Sequence, residues 1–176
     1  MKKVIVLFAS PKENGFTKTL LDVFLSKCRY EIQLYHMYEE NILPCIGCEK
    51  CASTKKCFME DADHILSDIF SSDYVIFASP VYNYSFPSPM KAFLDRLQPY
   101  FSMEKSAPVR KGFLLASCGK SGKFSVDVLE KQSKMAFHEL SAEFFGSYFF
   151  TNTDKQSVLQ QDEICKVTEL AERFFS

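Results

Sequence analysis

The amino-acid sequence predicts an α/β fold, a three-layer sandwich in which a five-stranded parallel sheet in the order 2-1-3-4-5 carries helices on both faces. Two observations predict this fold. Short apolar runs alternate with amphipathic helical stretches along the chain, which is typical of parallel strands joined by crossover helices. The length of 176 residues suits one domain, and right-handed crossovers leave few other topologies. We therefore expect residues 1–176 to form a single domain.

The first elements follow from their apolar spacing. Lys3–Ala9 is a continuous apolar run, as expected of a strand covered on both faces. Gly15–Cys28 has one apolar stripe at helical spacing, and Glu31–Tyr38 alternates imperfectly, as in a strand near the sheet edge. Asn41–Met59 lacks a period and is predicted as a loop that carries cysteines. Asp63–Phe70 is predicted as a short helix, with Asp61 or Asp63 as its cap.

The second half of the chain continues the same alternation. Pro80–Pro89 contains three prolines and is predicted as a loop. The predicted strands around it are Asp73–Ser79, Lys111–Cys118 and Phe144–Thr151, and the predicted helices are Pro89–Phe101, Lys123–Leu140 and Gln156–Phe175.

Composition excludes several classes of partner. The chain has 21 basic and 22 acidic residues, so it has no net field that favours nucleic acid or an anionic membrane. The apolar run that follows Lys2 and Lys3 is too short for a signal peptide, and no run is long enough to span a bilayer. Crowded cysteines in a chain of this size indicate a reducing compartment. We expect a cytoplasmic protein without nucleic-acid or membrane partners.

The loop after the first predicted strand has the chemistry of a phosphate site. A phosphate is bound by hydroxyls, backbone N–H groups and the positive end of a helix dipole. The candidate ligands are Ser10, Lys12, Asn14, Gly15, Phe16 and Thr17. An ordinary helix start, capped by Asn14 or Ser10, would give the same pattern. No G-x-G-x-x-G sequence occurs, so a permanently bound dinucleotide is not expected.

Two further loops follow the third and fourth predicted strands. A flat isoalloxazine ring needs an aromatic or apolar wall and backbone donors. The loop after the third strand offers Tyr82 and Tyr84 as the wall and the amides of residues 81–85 as donors; its candidate residues are Pro80, Val81, Tyr82, Asn83 and Tyr84. The loop after the fourth strand, residues 117–122, adds Ser117 and Gly119. The alternative is a rigid proline-bounded loop whose tyrosines lie at an oligomer interface.

Together these segments resemble a known family. Ala9-Ser10-Pro11-Lys12-x-Asn14-Gly15-x-Thr17 resembles the phosphate loop of the flavodoxin-like NAD(P)H-dependent FMN oxidoreductases. Ser79-Pro80-Val81-Tyr82, followed by Lys91–Arg96, resembles their second flavin loop and the next helix. The resemblance covers roughly the first 120 residues. It implies a flavodoxin-like fold that binds FMN, with Ser10 and Thr17 at phosphate-contact positions and residues 80–83 at ring-contact positions. Lys91, Asp95 and Arg96 are interpreted as structural ion pairs on that helix.

The cysteines between the second strand and the next helix form a C-x2-C-x2-C-x5-C pattern. Its members are Cys45, Cys48, Cys51 and Cys57. Three thiolates at three-residue steps can surround one compact cluster, and the fourth can fold back. Reduced or disulfide-paired cysteines and a zinc site are the alternatives. Lys50, Lys55 and Lys56 are expected to offset the negative charge of a cluster.

The cysteine spacing resembles that of the iron-sulfur flavoproteins, a branch of the same family that carries a 4Fe-4S cluster beside FMN. The loop follows the second strand, whose carboxyl end is expected on the flavin side of the sheet, so we expect the cluster close to the FMN.

The resemblance implies an FMN-dependent oxidoreductase. Electrons would pass from NAD(P)H, or from a ferredoxin-like donor, through the flavin to a small-molecule or protein acceptor such as ferredoxin. Because the cofactor carries the chemistry, no catalytic side chain is predicted. The family also implies a homodimer or homotetramer. The alternatives are a non-enzymatic electron carrier of the flavodoxin type, a class that is usually strongly acidic, and a zinc-stabilised binding module without flavin.

Overall fold

The computed structural model describes residues 2–101, 103, 109–119 and 123–176. Five parallel strands form one sheet in the order β2-β1-β3-β4-β5, which confirms the predicted flavodoxin-like sheet. The strands are β1 (Lys3–Phe8), β2 (Glu31–His36), β3 (Tyr74–Pro80), β4 (Arg110–Ser117) and β5 (Ala142–Phe150). The helices are α1 (Phe16–Leu25), α2 (Lys50–Thr54), α3 (Asp63–Phe70), α4 (Ser88–Asp95), α5 (Gln98–Phe101), α6 (Lys123–Glu139) and α7 (Gln161–Phe174).

The sheet separates two apolar layers, because successive side chains of a strand point to opposite faces. Along β1, Val4 and Val6 belong to the layer packed against α1 and α7. Ile5 and Leu7 belong to the layer packed against α3, α4 and α6. All four side chains are fully buried, so the continuous apolar pattern of β1 reflects cover on both faces.

The long helix predicted at Pro89–Phe101 is instead two helices, α4 and α5. Pro99 has no N–H to donate to the carbonyl of Asp95, and its ring disfavours helical backbone at Gln98. The chain therefore leaves the α-helix at Arg96, where the N–H of Leu97 donates to the carbonyl of Leu94 at 3.1 Å.

Three other boundaries differ from the predictions. The cysteine loop, predicted without structure, contains the short helix α2. Strand β5 begins at Ala142, and a register shift opposite Gly112 and Phe113 accommodates its extra length. Helix α7 begins at Gln161, because a single 3-10 turn at Thr153–Lys155 and an extended segment precede it.

All five strands are parallel, so their carboxyl ends share one edge of the sheet. The loops that follow β1, β3, β4 and β5 meet there. In the part of the chain that the structure describes, no helix is both long and apolar enough to cross a bilayer.

Candidate functional site

A cavity of about 520 Å³ opens at the carboxyl edge of the sheet, which is a usual size for a small-molecule site. Segments from four strand ends build its wall. The predicted residues that line it are Ser10, Lys12, Asn14, Gly15, Phe16, Thr17, Pro80, Val81, Tyr82, Ser117 and Gly119. The structure thus brings together all the predicted cofactor residues except Asn83 and Tyr84.

The amino terminus of α1 opens into this cavity without a side-chain cap. Gly15 is the N-cap residue, and no side chain accepts a hydrogen bond from the first turn. The hydroxyl of the buried Ser10 is used locally, because its Oγ accepts the N–H of Lys12 at 3.1 Å. A helix start capped by Asn14 or Ser10 is therefore not what the chain adopts. The first amides of α1 and the positive end of its dipole face the cavity.

Thr17 links the start of α1 to the end of β4 at the cavity wall. Its Oγ1 lies 2.7 Å from Oγ of Ser117, at the end of β4, and both residues are buried. Two hydroxyls in contact share one hydrogen bond and keep further donor and acceptor capacity between them. The pair therefore places hydroxyl groups from two distant segments side by side at the cavity wall.

The loop after β3 is held by its own backbone. Tyr82 and Ser85 exchange N–H···O bonds of 3.0 Å, and the intervening Asn83 and Tyr84 have φ of 48° and 64°, as in a type I′ turn. The N–H of Val81 donates to the carbonyl of Ser117 at 2.8 Å. Of the amides of residues 81–85, which were predicted as donors to a ring, those of residues 81, 82 and 85 are therefore already engaged within the protein.

The two loop tyrosines differ in position. Tyr82 lines the cavity, whereas the ring of Tyr84 turns outward and contacts Phe124 at the start of α6, with 5.8 Å between ring centroids. Tyr84 is 59% exposed. The turn at Asn83 and Tyr84 explains why these two predicted residues lie away from the cavity wall.

Sequence reasoning missed one wall of the cavity, the segment that follows β5. Its residues at the cavity are Thr153, Asp154, Ser157, Val158 and Leu159, and Thr19 of α1 was missed as well. The predicted helix start at Gln156 hid this segment. A parallel sheet places the end of β5 beside the end of β4, so the polar residues after β5 could have been recognised as site candidates.

Gly119 has a steric reason to be glycine. A Cβ built there would lie 2.5 Å from the carboxylate of Asp154. The neighbouring Cys118 is buried, and desolvation together with the charge of Asp154 raises the pKa of its thiol. Residues 120–122 of the predicted glycine turn lie outside the described residues.

The four cysteines of the spaced pattern line one small second cavity of about 30 Å³. Cys45 and Cys48 are exposed, whereas Cys51 and Cys57 are half-buried. Gly47, between the first two, has φ of 64°, so the backbone turns there in a conformation that favours glycine. Within the described ranges, no three His, Cys, Asp or Glu side chains lie close enough together to hold a single metal ion.

The cysteine cavity is separate from the first cavity, and the two share no lining residue. The loop at residues 80–87 precedes α4, whereas Arg96, which follows α4, lines the cysteine cavity. The two cavities therefore adjoin opposite ends of this helix. The expectation that a cluster lies close to the FMN stays a prediction, with the residues of α4 between the two cavities.

The ion pairs near α4 differ partly from the prediction. Lys91 and Asp95 form the expected pair on the helix. Arg96 instead pairs with Asp61, which also accepts the N–H of Leu43 at 2.9 Å. Asp61 is thus not the cap of α3, whose N-cap position is occupied by Ala62 without a side-chain bond.

Comparison with known proteins agrees with this geometry. Residues 2–156 match the protein family described as NADPH-dependent FMN reductase. An iron-sulfur flavoprotein from Archaeoglobus fulgidus is 32% identical over 102 residues, which cover 56% of this chain and 46% of that protein. FMN-dependent NADH:quinone oxidoreductase 8 from Burkholderia lata is 24% identical over 135 residues, which cover 68% of this chain and 59% of that protein. The chain spans about half the length of the curated relatives it matches.

Solved structures share the fold at lower identity. An azoreductase from Bacillus anthracis superposes with a TM-score of 0.78 at 17% identity, covering 99% of this chain and 100% of the other. At that identity the likeness concerns the fold alone.

Proposed function

The chain belongs to the family of NADPH-dependent FMN reductases, and from this premise we propose that it binds FMN in the cavity at the carboxyl edge of its sheet. We propose that it passes electrons from NADH or NADPH through the flavin to an acceptor. One observation carries the proposal: the uncapped start of α1 and the Thr17–Ser117 hydroxyl pair line a cavity of about 520 Å³.

The start of α1 suits the phosphate of FMN. The phosphate is a dianion near neutral pH, and uncapped helix amides with a favourable dipole bind such an anion without further charge. Thr17 can donate its hydroxyl, and the exposed ammonium of Lys12 lies at the same wall. Gly15 keeps the backbone approach open, because it has no side chain where the loop enters the helix.

The remaining walls suit the other parts of FMN. Pro80, Val81 and Tyr82 offer an apolar and aromatic surface for the ring. Thr153, Asp154 and Ser157 offer hydroxyls and a carboxylate, which can bond with the hydroxyls of the ribityl chain.

FMN, when bound, accepts hydride from a nicotinamide and donates electrons onward. The residues of the chain have a different task, which is to bind and orient. The type I′ turn at Asn83–Tyr84 and the Val81–Ser117 bond fix the loop after β3, so Tyr82 is held at the cavity wall. No acidic or basic side chain is assigned a proton-transfer role, in keeping with chemistry that belongs to the cofactor.

We also propose that the four cysteines hold a 4Fe-4S cluster. Two features support it: the four thiols line one cavity, and the spacing is that of a compact cluster. A four-thiol donor set fits this group, and it would also fit the zinc alternative.

The proposal also covers the electron acceptor and the oligomeric state of the protein. A quinone is the small acceptor that the Burkholderia relative's name suggests, and a ferredoxin is the protein partner suited to single electrons. We propose that the chain is one domain that assembles as a homodimer or homotetramer. The thiol-rich loop suits the cytoplasm, where cysteines remain reduced.

The test is anaerobic purification followed by a visible spectrum, assays of released flavin, iron, sulfide and zinc, and steady-state oxidation of NADH and NADPH with a quinone. We expect stoichiometric FMN, turnover with a nicotinamide, and about four irons per chain. Protein without flavin overturns the FMN proposal. Flavin without nicotinamide turnover would indicate an electron carrier, and colourless protein with zinc would indicate a binding module.

Cysteine variants separate the two cofactors. Cys51→Ser should lose the iron and sulfide while FMN stays bound, because Cys51 lies outside the flavin cavity. Cys165→Ser, at an exposed position on α7, is the matched control and should keep both. Iron retained at wild-type stoichiometry in Cys51→Ser would contradict the assignment of this ligand.

Tyrosine variants test the ring wall. Tyr82→Ala should change the fluorescence and reduction rate of bound flavin more than Tyr84→Ala, because only Tyr82 lines the cavity. Equal effects, or a larger effect of Tyr84→Ala, would place the ring elsewhere.

A further inference from the structure

Arg96 is an unusual residue for the interior of this fold. It is only 1% exposed and heads the fully buried side chains by volume among the described residues. A guanidinium stays charged at any ordinary pH, and its burial is costly unless it is paired and hydrogen-bonded. The groups that contact the guanidinium therefore indicate its role.

Those partners lie on the cysteine loop and its continuation. The Nη2 group pairs with the carboxylate of Asp61, and Nη1 donates a hydrogen bond to Sγ of Cys57 at 3.2 Å. Nε is buried and has no hydrogen-bond partner in the described part of the chain. One carboxylate thus satisfies only part of the guanidinium, and the rest is directed to sulfur or left without an acceptor.

Arg96 also lines the cavity formed by the four cysteines. Two of the three lysines expected to serve this cavity are engaged with other groups. Lys50 Nζ lies 3.5 Å from the centre of the Phe58 ring, and Lys56 Nζ lies 3.2 Å from Glu60 and 3.1 Å from Asp63. The positive charge that contacts a cysteine sulfur is therefore that of Arg96.

An electron-rich sulfur is the acceptor that this arrangement suits. Four thiolates around a four-iron core give the site a net negative charge. Hydrogen bonds to the sulfurs and nearby charge are among the factors that set the reduction potential of such a cluster. A buried guanidinium bonded to one ligand sulfur favours the reduced form, because reduction adds one more negative charge beside it.

We propose that Arg96 is a positioning residue of the cysteine site. Through Nη1 it fixes Sγ of Cys57 at the cavity wall, and its charge raises the reduction potential of a cluster bound there. Asp61 orients the guanidinium from the opposite side. This inference rests on the proposed iron-sulfur form of the protein, and it assigns Arg96 a role beyond a structural ion pair.

The test compares the wild-type chain with Arg96→Gln and Arg96→Lys, all purified without oxygen. Iron, sulfide and FMN are assayed, and the cluster is titrated with dithionite while its one-electron reduction is followed by EPR. Loss of one charge-assisted hydrogen bond should lower the equilibrium constant for reduction about tenfold in Arg96→Gln, which is about 59 mV. Arg96→Lys keeps the positive charge, so its cluster should have a reduction potential between those of the wild type and Arg96→Gln.

Lys166→Gln is the matched control, because it removes one positive charge from an exposed position on α7, outside the lining of the cysteine cavity, and should leave the potential unchanged. FMN content and helicity by circular dichroism report whether each variant folds. Loss of iron from folded, FMN-loaded Arg96→Gln supports the role in holding Cys57. If Arg96→Gln does not fold, Arg96→Lys decides by the same readouts.

Two outcomes overturn the inference and are distinguishable. Variants with full iron and a wild-type potential show that Arg96 is only a structural ion pair, while the cluster assignment stands. Wild-type protein that binds FMN but takes up no iron overturns both the cluster and this role of Arg96.

Discussion

At the scale of single residues, the substitution of Thr17 gives the most direct test of the proposed FMN site. Its buried hydroxyl meets Ser117 at 2.7 Å and lies at the uncapped start of α1. We predict that Thr17→Ala weakens FMN binding about 10- to 100-fold, because loss of one hydrogen bond to a charged group costs roughly 1.5–3 kcal/mol. Titration of apoprotein with FMN, followed by quenching of flavin fluorescence, measures this change.

Thr168→Ala provides the control, since Thr168 lies on α7 and outside the cavity. It should bind FMN as the wild type does. If Thr17→Ala and the wild type bind FMN with equal affinity, the FMN phosphate is not bound at the start of α1.

Where local chemistry decides, the sequence predicts which residues lie together. Ser10, Gly15 and Thr17 follow a strand and begin a helix, and that order alone brings them to one cavity. The loop after β3 shows the limit. Its amides were predicted as ligand donors, yet the turn at Asn83–Tyr84 closes on itself. Arg96 shows the same limit, because its partners Asp61 and Cys57 are distant in sequence.

At the scale of elements, the contact between β4 and α6 depends on one glycine. A Cβ at Gly112 would meet the ring of the fully buried Phe137 at 2.5 Å, and that ring already stacks on Phe77 with 4.2 Å between centroids. We predict that Gly112→Ala lowers the free energy of unfolding by about 1–3 kcal/mol through overpacking. Urea denaturation of the apoprotein measures this loss.

Gly146→Ala on the neighbouring strand is the control, because its Cβ would meet Phe113 at an ordinary 3.4 Å. The cost of Gly112→Ala should also shrink in a Phe137→Leu background, where the ring is gone. An undiminished cost in that background would mean that backbone strain, rather than the ring, opposes the substitution.

A second element-scale contact ties α3 to β1 and β2 through Asp68. Its carboxylate accepts hydrogen bonds from the hydroxyl of Tyr35 and from Lys3 Nζ, the latter at 2.9 Å. These bonds, that of Tyr35 first, hold the pKa of Asp68 below its ordinary value of 3.8. The contribution to stability is therefore complete above the ordinary pKa and is lost as the pH falls through the lower folded value.

We predict that Asp68→Asn lowers the free energy of unfolding by about 1 kcal/mol at pH 7, a small value because the pair is partly solvated. The gap to the wild type should stay constant down to about pH 5 and close below pH 4. Urea midpoints at four pH values measure it. Asp22→Asn, in an exposed pair with Lys18 on α1, should show a smaller gap at pH 7. A gap for Asp68→Asn that widens in acid would contradict the assignment.

Most of the helices and strands could be predicted from the sequence, because the spacing of their apolar residues indicates which face is buried. The errors fall where backbone chemistry overrides periodicity. Pro99 ends the helix whose apolar stripe runs from Met90 to Leu97. The segment after β5 carries apolar Val158 and Leu159 without being helical there. Leu159 is buried in the core, so its place in the apolar pattern reflects anchoring of a loop.

At the scale of the whole molecule, the proposed flavin site joins distant parts of the sequence. Residues 10–19, 80–82, 117–119 and 153–159 meet at one cavity because the parallel sheet aligns the ends of their strands. The fold that aligns these strand ends can be predicted from the sequence. Side-chain contacts across the sheet edge, such as that of Thr17 with Ser117, are seen only in the structure. A ligand in this cavity therefore touches loops anchored to four of the five strands.

This arrangement predicts that the described sheet unfolds as one unit and that FMN stabilises all of it. The chain has no tryptophan, so its eight tyrosines serve as the fluorescent probe of packing, and circular dichroism reports the helices. The two urea transitions of the apoprotein should coincide. Free FMN at about a hundred times its dissociation constant should raise the free energy of unfolding by about 2.7 kcal/mol, with the slope of the transition unchanged.

Riboflavin, which lacks the phosphate, is the matched ligand control and should stabilise far less, because the start of α1 would have no anion to bind. Two separate transitions, of which FMN moves only one, would show that the chain is not a single cooperative domain, and equal stabilisation by riboflavin would show that the phosphate is not held at the helix start.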